Sequence, residues 1–167
     1  MIGYNLQPAL DWRIKTEVYY QNLYNVPVNT FSSSYSMLNT GAGFKTDLED
    51  NLVNTGTGKN YGIELTVEKF FSKGYYGLVT GSIYNSEYKG SDGITRNTSF
   101  NGNFVCNFLA GKEWKIGKDK RNRISIDTKF TYAGGRATTA IDLTASVATG
   151  REVLSSDVNG SNYEDYY

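Results

Sequence analysis

Between Tyr61 and Glu68 the side chains alternate without a break, Tyr61, Ile63, Leu65 and Val67 against Gly62, Glu64, Thr66 and Glu68. A period of two describes a strand with one apolar and one wet face, and a helix cannot produce it. Ser72-Lys73-Gly74 then interrupts the pattern and predicts a three-residue hairpin loop in which Gly74 takes a positive φ. Pairing Phe71 with Tyr75 sets Val67 opposite Val79 and Ile63 opposite Ile83, while Glu64 faces Ser82 and Thr66 faces Thr80. The stretch reads as a long hairpin, greasy on one side and carrying two carboxylates on the other.

The remaining strands repeat this design. Met1–Leu6 reads as the tail of a strand, and Gln7–Asp11 as a turn, because Pro8 does not suit a central ladder. Trp12–Leu23 alternates, with Trp12, Ile14, Thr16, Val18 and Tyr20 on the apolar side and Arg13, Lys15, Glu17, Tyr19 and Gln21 on the polar side. Phe100–Trp114 places Phe104, Cys106, Phe108 and Ala110 on one face, although Val105 and Leu109 spoil the other. Asn122–Tyr132 sets Ile124, Ile126, Thr128, Phe130 and Tyr132 against Ser125, Asp127, Lys129 and Thr131.

The connections alternate in length: short at Gln7–Asp11, long at Tyr24–Lys59, short at Ser72–Gly74, medium at Glu87–Ser99, short at Lys115–Arg121, long beyond Gly134. Tight turns at one rim and long loops at the other are the habit of transmembrane β-barrels. Lys115–Arg121 is a basic turn, suited equally to solvent and to anionic lipid headgroups. The pair Gly58-Lys59 is not a phosphate loop, since Val53 and Asn60 occupy the positions where that motif needs Gly and Ser or Thr.

Composition narrows the function. The chain of 167 residues has no histidine and one cysteine, Cys106. Serine–histidine catalysis, the common zinc sets and an internal disulfide are therefore excluded for this chain alone. Glu64 and Glu68 stand about 13 Å apart along their strand, beyond the spacing of a glycosidase pair. The reading is of a protein that is not an enzyme and needs no cofactor. Seventeen basic and 17 acidic residues leave no net field for nucleic acid. No run of apolar residues is long enough for a membrane helix, and the first residues lack a signal peptide's pattern, so an exported protein would have its targeting segment upstream. Fourteen tyrosines in a chain of negative mean hydropathy, −0.47, suit strands that meet an interface between grease and water.

The run Leu52–Lys69 (LVNTGTGKNYGIELTVEK), together with Tyr88–Asn103, Tyr132-Ala133-Gly134-Gly135-Arg136, Ile141-Asp142-Leu143 and Gly150-Arg151-Glu152-Val153, resembles the late-barrel segment of TonB-dependent outer-membrane receptors. The resemblance is to the type that carries a carboxypeptidase-regulatory-like domain before its plug. It implies a large antiparallel barrel of about twenty-two strands with an N-terminal plug, coupled to an energy-transducing partner to import a scarce nutrient across the outer membrane. Residues 1–167 are then one part of one barrel domain: an all-β, antiparallel up-and-down meander of about six long strands with a seventh cut off near Tyr163–Tyr167, lacking the plug and the final strand. The family has no catalytic residues to carry over.

On this reading the apolar faces meet lipid, and Arg13, Lys15, Glu17, Glu64, Glu68, Asp127 and Lys129 line the lumen, pairing with one another or with the plug. Tyr88, Asp92, Arg96, Arg136 and Arg151 are candidates for the outer rim that meets the small ligand, with solvated loop positions as their plainer account. The alternative is a soluble β-sandwich or small barrel that uses surface tyrosines to bind carbohydrate.

Overall fold

The computed structural model describes residues 1–41, 49–135, 141–151 and 153. Among the described residues the chain is all-β apart from two short helical segments. Its strands are β1 (Ile2–Ala9), β2 (Trp12–Asn29), β3 (Leu52–Ser72), β4 (Tyr75–Lys89), β5 (Thr95–Asn97), β6 (Phe104–Ile116) and β7 (Asn122–Ala133). They form one sheet in the order β1-β2-β3-β4-β6-β7, with the short β5 paired to β4 outside that path. Apart from β5 this is the expected meander, and β1 and β7 are its edges.

The chain divides into two compact units, residues 1–20, 61–84 and 103–134 in the first, and residues 21–60, 85–102 and 135–167 in the second. The first holds the short turns that join β1 to β2, β3 to β4 and β6 to β7. Its registers carry out the alternation residue by residue: Ile2 lies opposite Val18 and Leu6 opposite Ile14, Val79 opposite Phe108 and Ile83 opposite Phe104, then Phe108 opposite Phe130 and Trp114 opposite Ile124. Every one of these pairs joins two apolar residues. Yet the face they make is bare, with Ile2 81%, Ile83 67%, Phe130 64% and Ile126 61% exposed.

The turns differ in detail from the sequence reading. Ser72 remains in β3, so the hairpin loop has two residues, Lys73 at φ 51° and Gly74 at φ 81°. Positive φ at both positions is what a type I′ turn needs to match strand twist. Pro8 lies inside β1 rather than in a turn, and the turn proper is Leu10-Asp11. The register shifts between Leu6 and Ala9, so proline sits at a bulge, a setting where its missing N–H costs little.

The second unit carries the long connections and most of the burial. The loop expected over Tyr24–Lys59 is much shorter, because β2 continues to Asn29 and β3 begins at Leu52. Among the described residues the buried apolar side chains are Val26, Val28 and Tyr88, all in this unit. Gly56 makes the packing possible: a Cβ there would lie 2.5 Å from Val28 Cγ1 and 2.9 Å from the Val26 carbonyl oxygen. The medium loop is a hairpin, with Glu87 opposite Asn97, Tyr88 opposite Arg96 and Lys89 opposite Thr95. Strand β6 starts at Phe104, four residues later than expected at Phe100.

Where irregular chain was expected, Leu143–Thr149 forms a short helix, α1. Asp142 caps it by accepting the Ala145 N–H at 2.9 Å, and Gly150 closes it at φ 66°. Part of the long connection after β2, including Asp47 and Leu48, and the expected seventh strand at Tyr163–Tyr167 lie outside the described residues.

Candidate functional site

The polar face of the first unit gathers most of its charged side chains into pairs. Arg13 of β2 meets Glu68 of β3 at 2.5 Å, and Lys15 meets Glu17 along β2 at 2.6 Å. Tyr76 of β4 donates its hydroxyl to Asp127 of β7 at 2.8 Å, passing over Gly111, where a Cβ would collide with both. Asn107 of β6 bridges its neighbours, donating to Thr80 Oγ1 at 3.2 Å and accepting from Thr131 Oγ1 at 2.9 Å. Lys129 stands opposite Leu109 and is exposed.

Between these pairs lies a recess of about 420 Å³, lined by Tyr19, Glu64, Thr66, Thr80, Ser82, Tyr84 and Val105 among others. Glu64 and Thr66 come from β3, and Thr80 and Ser82 from β4, the same four side chains that the alternation places on one face. Two phenols, a carboxylate and three hydroxyls offer hydrogen bonds and ring faces to a small polar or cationic ligand. They assemble no nucleophile with a base. Among the described residues no group of His, Cys, Asp and Glu gathers as a metal site. The sequence reading singled out Glu64 but passed over Tyr19 and Tyr84, although their parity already placed them on its face.

At the turn end of the same unit is a cluster the sequence did not announce. Lys69, 5% exposed, donates from Nζ to Asp11 Oδ2 at 2.6 Å, Ser72 Oγ at 2.5 Å and the Phe70 carbonyl at 2.8 Å. All three ammonium donors are thereby used, and Nζ also stands 4.6 Å from the centre of the Tyr75 ring. Ser72 donates to Asp11 as well, and the Phe70 N–H donates to the Asp11 carbonyl at 2.8 Å. Hydrogen bonds from Lys69, then from Ser72, hold the Asp11 carboxyl down to about 2.

In the second unit, the loop candidates turn inward. Tyr88 is 1% and Arg96 6% exposed. Arg96 pairs with Asp92 at 2.7 Å, both side chains buried, and Asp92 also accepts the Ile94 N–H at 3.0 Å. Ser91 stitches this hairpin to the preceding loop, accepting from the Ser33 N–H at 3.0 Å and donating to the Phe31 carbonyl at 2.5 Å. A polar ladder runs from Gln21 through Asn60 and Ser86 to Thr98 at 3.2, 2.7 and 2.8 Å. Tyr88, Asp92 and Arg96 are thus placed as supports within an ordered loop layer rather than as solvated loop positions. Arg151 follows α1 and is exposed, and Arg136 lies outside the described residues.

No family model, curated protein or solved structure matches the chain.

Proposed function

We propose that this chain is a stretch of the wall of a transmembrane β-barrel, of the TonB-dependent outer-membrane receptor kind, whose parent imports a scarce nutrient. The observation that carries the membrane reading is the order of residues on the bare apolar face. Trp12, Phe71, Tyr75 and Trp114 stand near the tight turns, and Tyr20, Tyr61, Phe104 and Tyr132 stand at the other limit of the first unit. Between them the face is mainly aliphatic, with Ile14, Val18, Ile63, Leu65, Val79 and Ile126, and it also carries Tyr4, Phe108 and Phe130. The rings of Tyr20 and Tyr61 meet tilted, 6.3 Å between centres, and those of Phe104 and Tyr132 likewise at 5.2 Å.

Trp12 to Tyr20 and Phe104 to Trp114 span roughly 26 and 33 Å along their strands at 3.3 Å per residue. At the usual barrel tilt of about 40° these become about 20–25 Å, the height of the apolar band that aromatic girdles flank in outer-membrane barrels. The receptor assignment rests on the resemblance of Leu52–Lys69 and Tyr88–Asn103. In this reading the bare face meets outer-membrane lipid, and the polar face with its recess looks into the lumen, toward the plug and the passing ligand.

A soluble carbohydrate-binding sandwich needs a second layer over the apolar face, and among the described residues that face is open. The test is the behaviour of the expressed chain with and without detergent, read together with circular dichroism. A β-rich product that stays dispersed only in detergent supports the wall reading. A monodisperse monomer that melts cooperatively in plain buffer rejects it in favour of the soluble module.

A further inference from the structure

The turn joining β6 to β7 concentrates a charge that the rest of the molecule does not have. Lys112, Lys115, Lys118, Lys120, Arg121 and Arg123 are all exposed there, against Glu113 and Asp119, in a chain whose basic and acidic residues balance at 17 each. Lys115 stands directly opposite Arg123 in the register. Like charges facing each other across a ladder destabilise it, and Arg123 reaches Glu113 only at 3.4 Å. Lys115 and Arg123 share the polar face with Glu113, so it is Lys112 and the turn residues Lys118, Lys120 and Arg121 that an anion outside the wall would meet.

The placement says which anion. Lys112 and Trp114 lie on the apolar face, opposite Ile126 and Ile124. The Lys112 ammonium stands 5.2 Å from the centre of the Trp114 ring. A lysine on a greasy face whose charged head reaches an interfacial tryptophan is snorkelling towards a headgroup layer. A nucleic acid would ask for a basic surface independent of that apolar boundary.

We propose that the β6–β7 turn is a binding surface for anionic phospholipid headgroups on the leaflet that the tight turns face. The proposal rests on the membrane-wall reading and adds to it a lipid class and a position. Each cation near a membrane surface strengthens binding to anionic lipid by about fivefold at low salt, fading once the Debye length shrinks.

The chain is refolded from urea into vesicles of phosphatidylcholine alone or with phosphatidylglycerol added, and the bound fraction is read by flotation. The expected result is binding to both, stronger on the anionic vesicles, with the difference abolished by high salt. Lys118→Gln with Arg121→Gln, both confined to the turn, lowers the anionic preference by an order of magnitude or more. Lys59→Gln with Lys89→Gln, the same charge change in the second unit, keeps it. Equal binding to the two vesicle types overturns the headgroup surface and leaves the wall reading standing. Equal loss in both charge pairs overturns it too, as a general charge effect. Binding to neither vesicle overturns the wall reading, and this surface with it.

Discussion

Lys69 brings the turn before β2 and the hairpin after β3 under one side chain, and its contact with Asp11 joins residues far apart in sequence. No local pattern could announce that pair: alternation assigns faces, while partners across a bulge depend on where the chain returns. Because Asp11 titrates from a depressed value, the clamp has a pH signature. Its carboxyl sits at about 2 in the fold against 3.8 ordinarily, so between those values the unfolded chain binds more protons. The stabilisation is complete above about pH 4 and is lost as pH falls towards 2. Thermal midpoints in detergent should therefore separate wild type from Asp11→Asn near neutral pH and converge over that window. A gap that persisted unchanged at pH 2 would mean the carboxylate is not the source. Adding Lys69→Met to Asp11→Asn should recover part of the loss, since it removes the ammonium stranded by the first change. Glycine supplies the second contrast at this scale. Gly56→Ala pushes a methyl into Val28 and should cost about 1–3 kcal/mol in urea melts. Gly81→Ala meets nothing within 4 Å and should stay within about 0.5 kcal/mol.

At the scale of elements, the sequence is legible wherever one face is greasy and the other polar. β2 up to Leu23, β3 from Tyr61, β4, β6 and β7 follow from that contrast. It fails over Tyr24–Asn29 and Leu52–Lys59, where glycines, threonines and asparagines sit among the packed residues and no two-sided contrast survives, although the backbone is still strand. The helix α1 was legible in principle, from Asp142 before it and Gly150 after it. The burial of the loop candidates was illegible for a related reason: Asp92 and Arg96 look like solvent residues in a polar stretch, and their pairing depends on how the β4–β5 hairpin folds back. Breaking that buried pair should cost about 3–5 kcal/mol within the loop layer. For Arg96→Ala, hydrogen exchange should quicken from Phe31 to Ser36 and from Gly90 to Asn101, while the amides of β6 and β7 keep their protection. Uniform acceleration through β6 and β7 would show that the two units do not open separately.

For the molecule as a whole, a lipid layer and a missing protein layer make different demands on the same bare face, and depth separates them. In a bilayer the cost of a charge rises from about 0–1 kcal/mol near the interface to about 2–4 kcal/mol at the midplane. Strand β7 samples that range on one face: Ile124 lies opposite Trp114 beside the turn, Thr128 opposite Ala110 midway, and Tyr132 opposite Cys106 in the far aromatic row. Thr128 decides the matter, because replacing it removes little apolar surface and the penalty read there is that of burying the charge. Thr128→Lys should weaken assembly in lipid vesicles by about 2–4 kcal/mol, and Ile124→Lys by about 1 kcal/mol beyond its lost side chain. Ser125→Lys, on the polar face between them, should leave assembly nearly unchanged. A covering protein layer rejects a buried lysine too, but it is close-packed and so also penalises Thr128→Leu for its size, which lipid does not. Thr128→Leu therefore tells which of the two meets this face: near-neutral assembly means lipid, and a loss of about 1–3 kcal/mol means a packed protein layer.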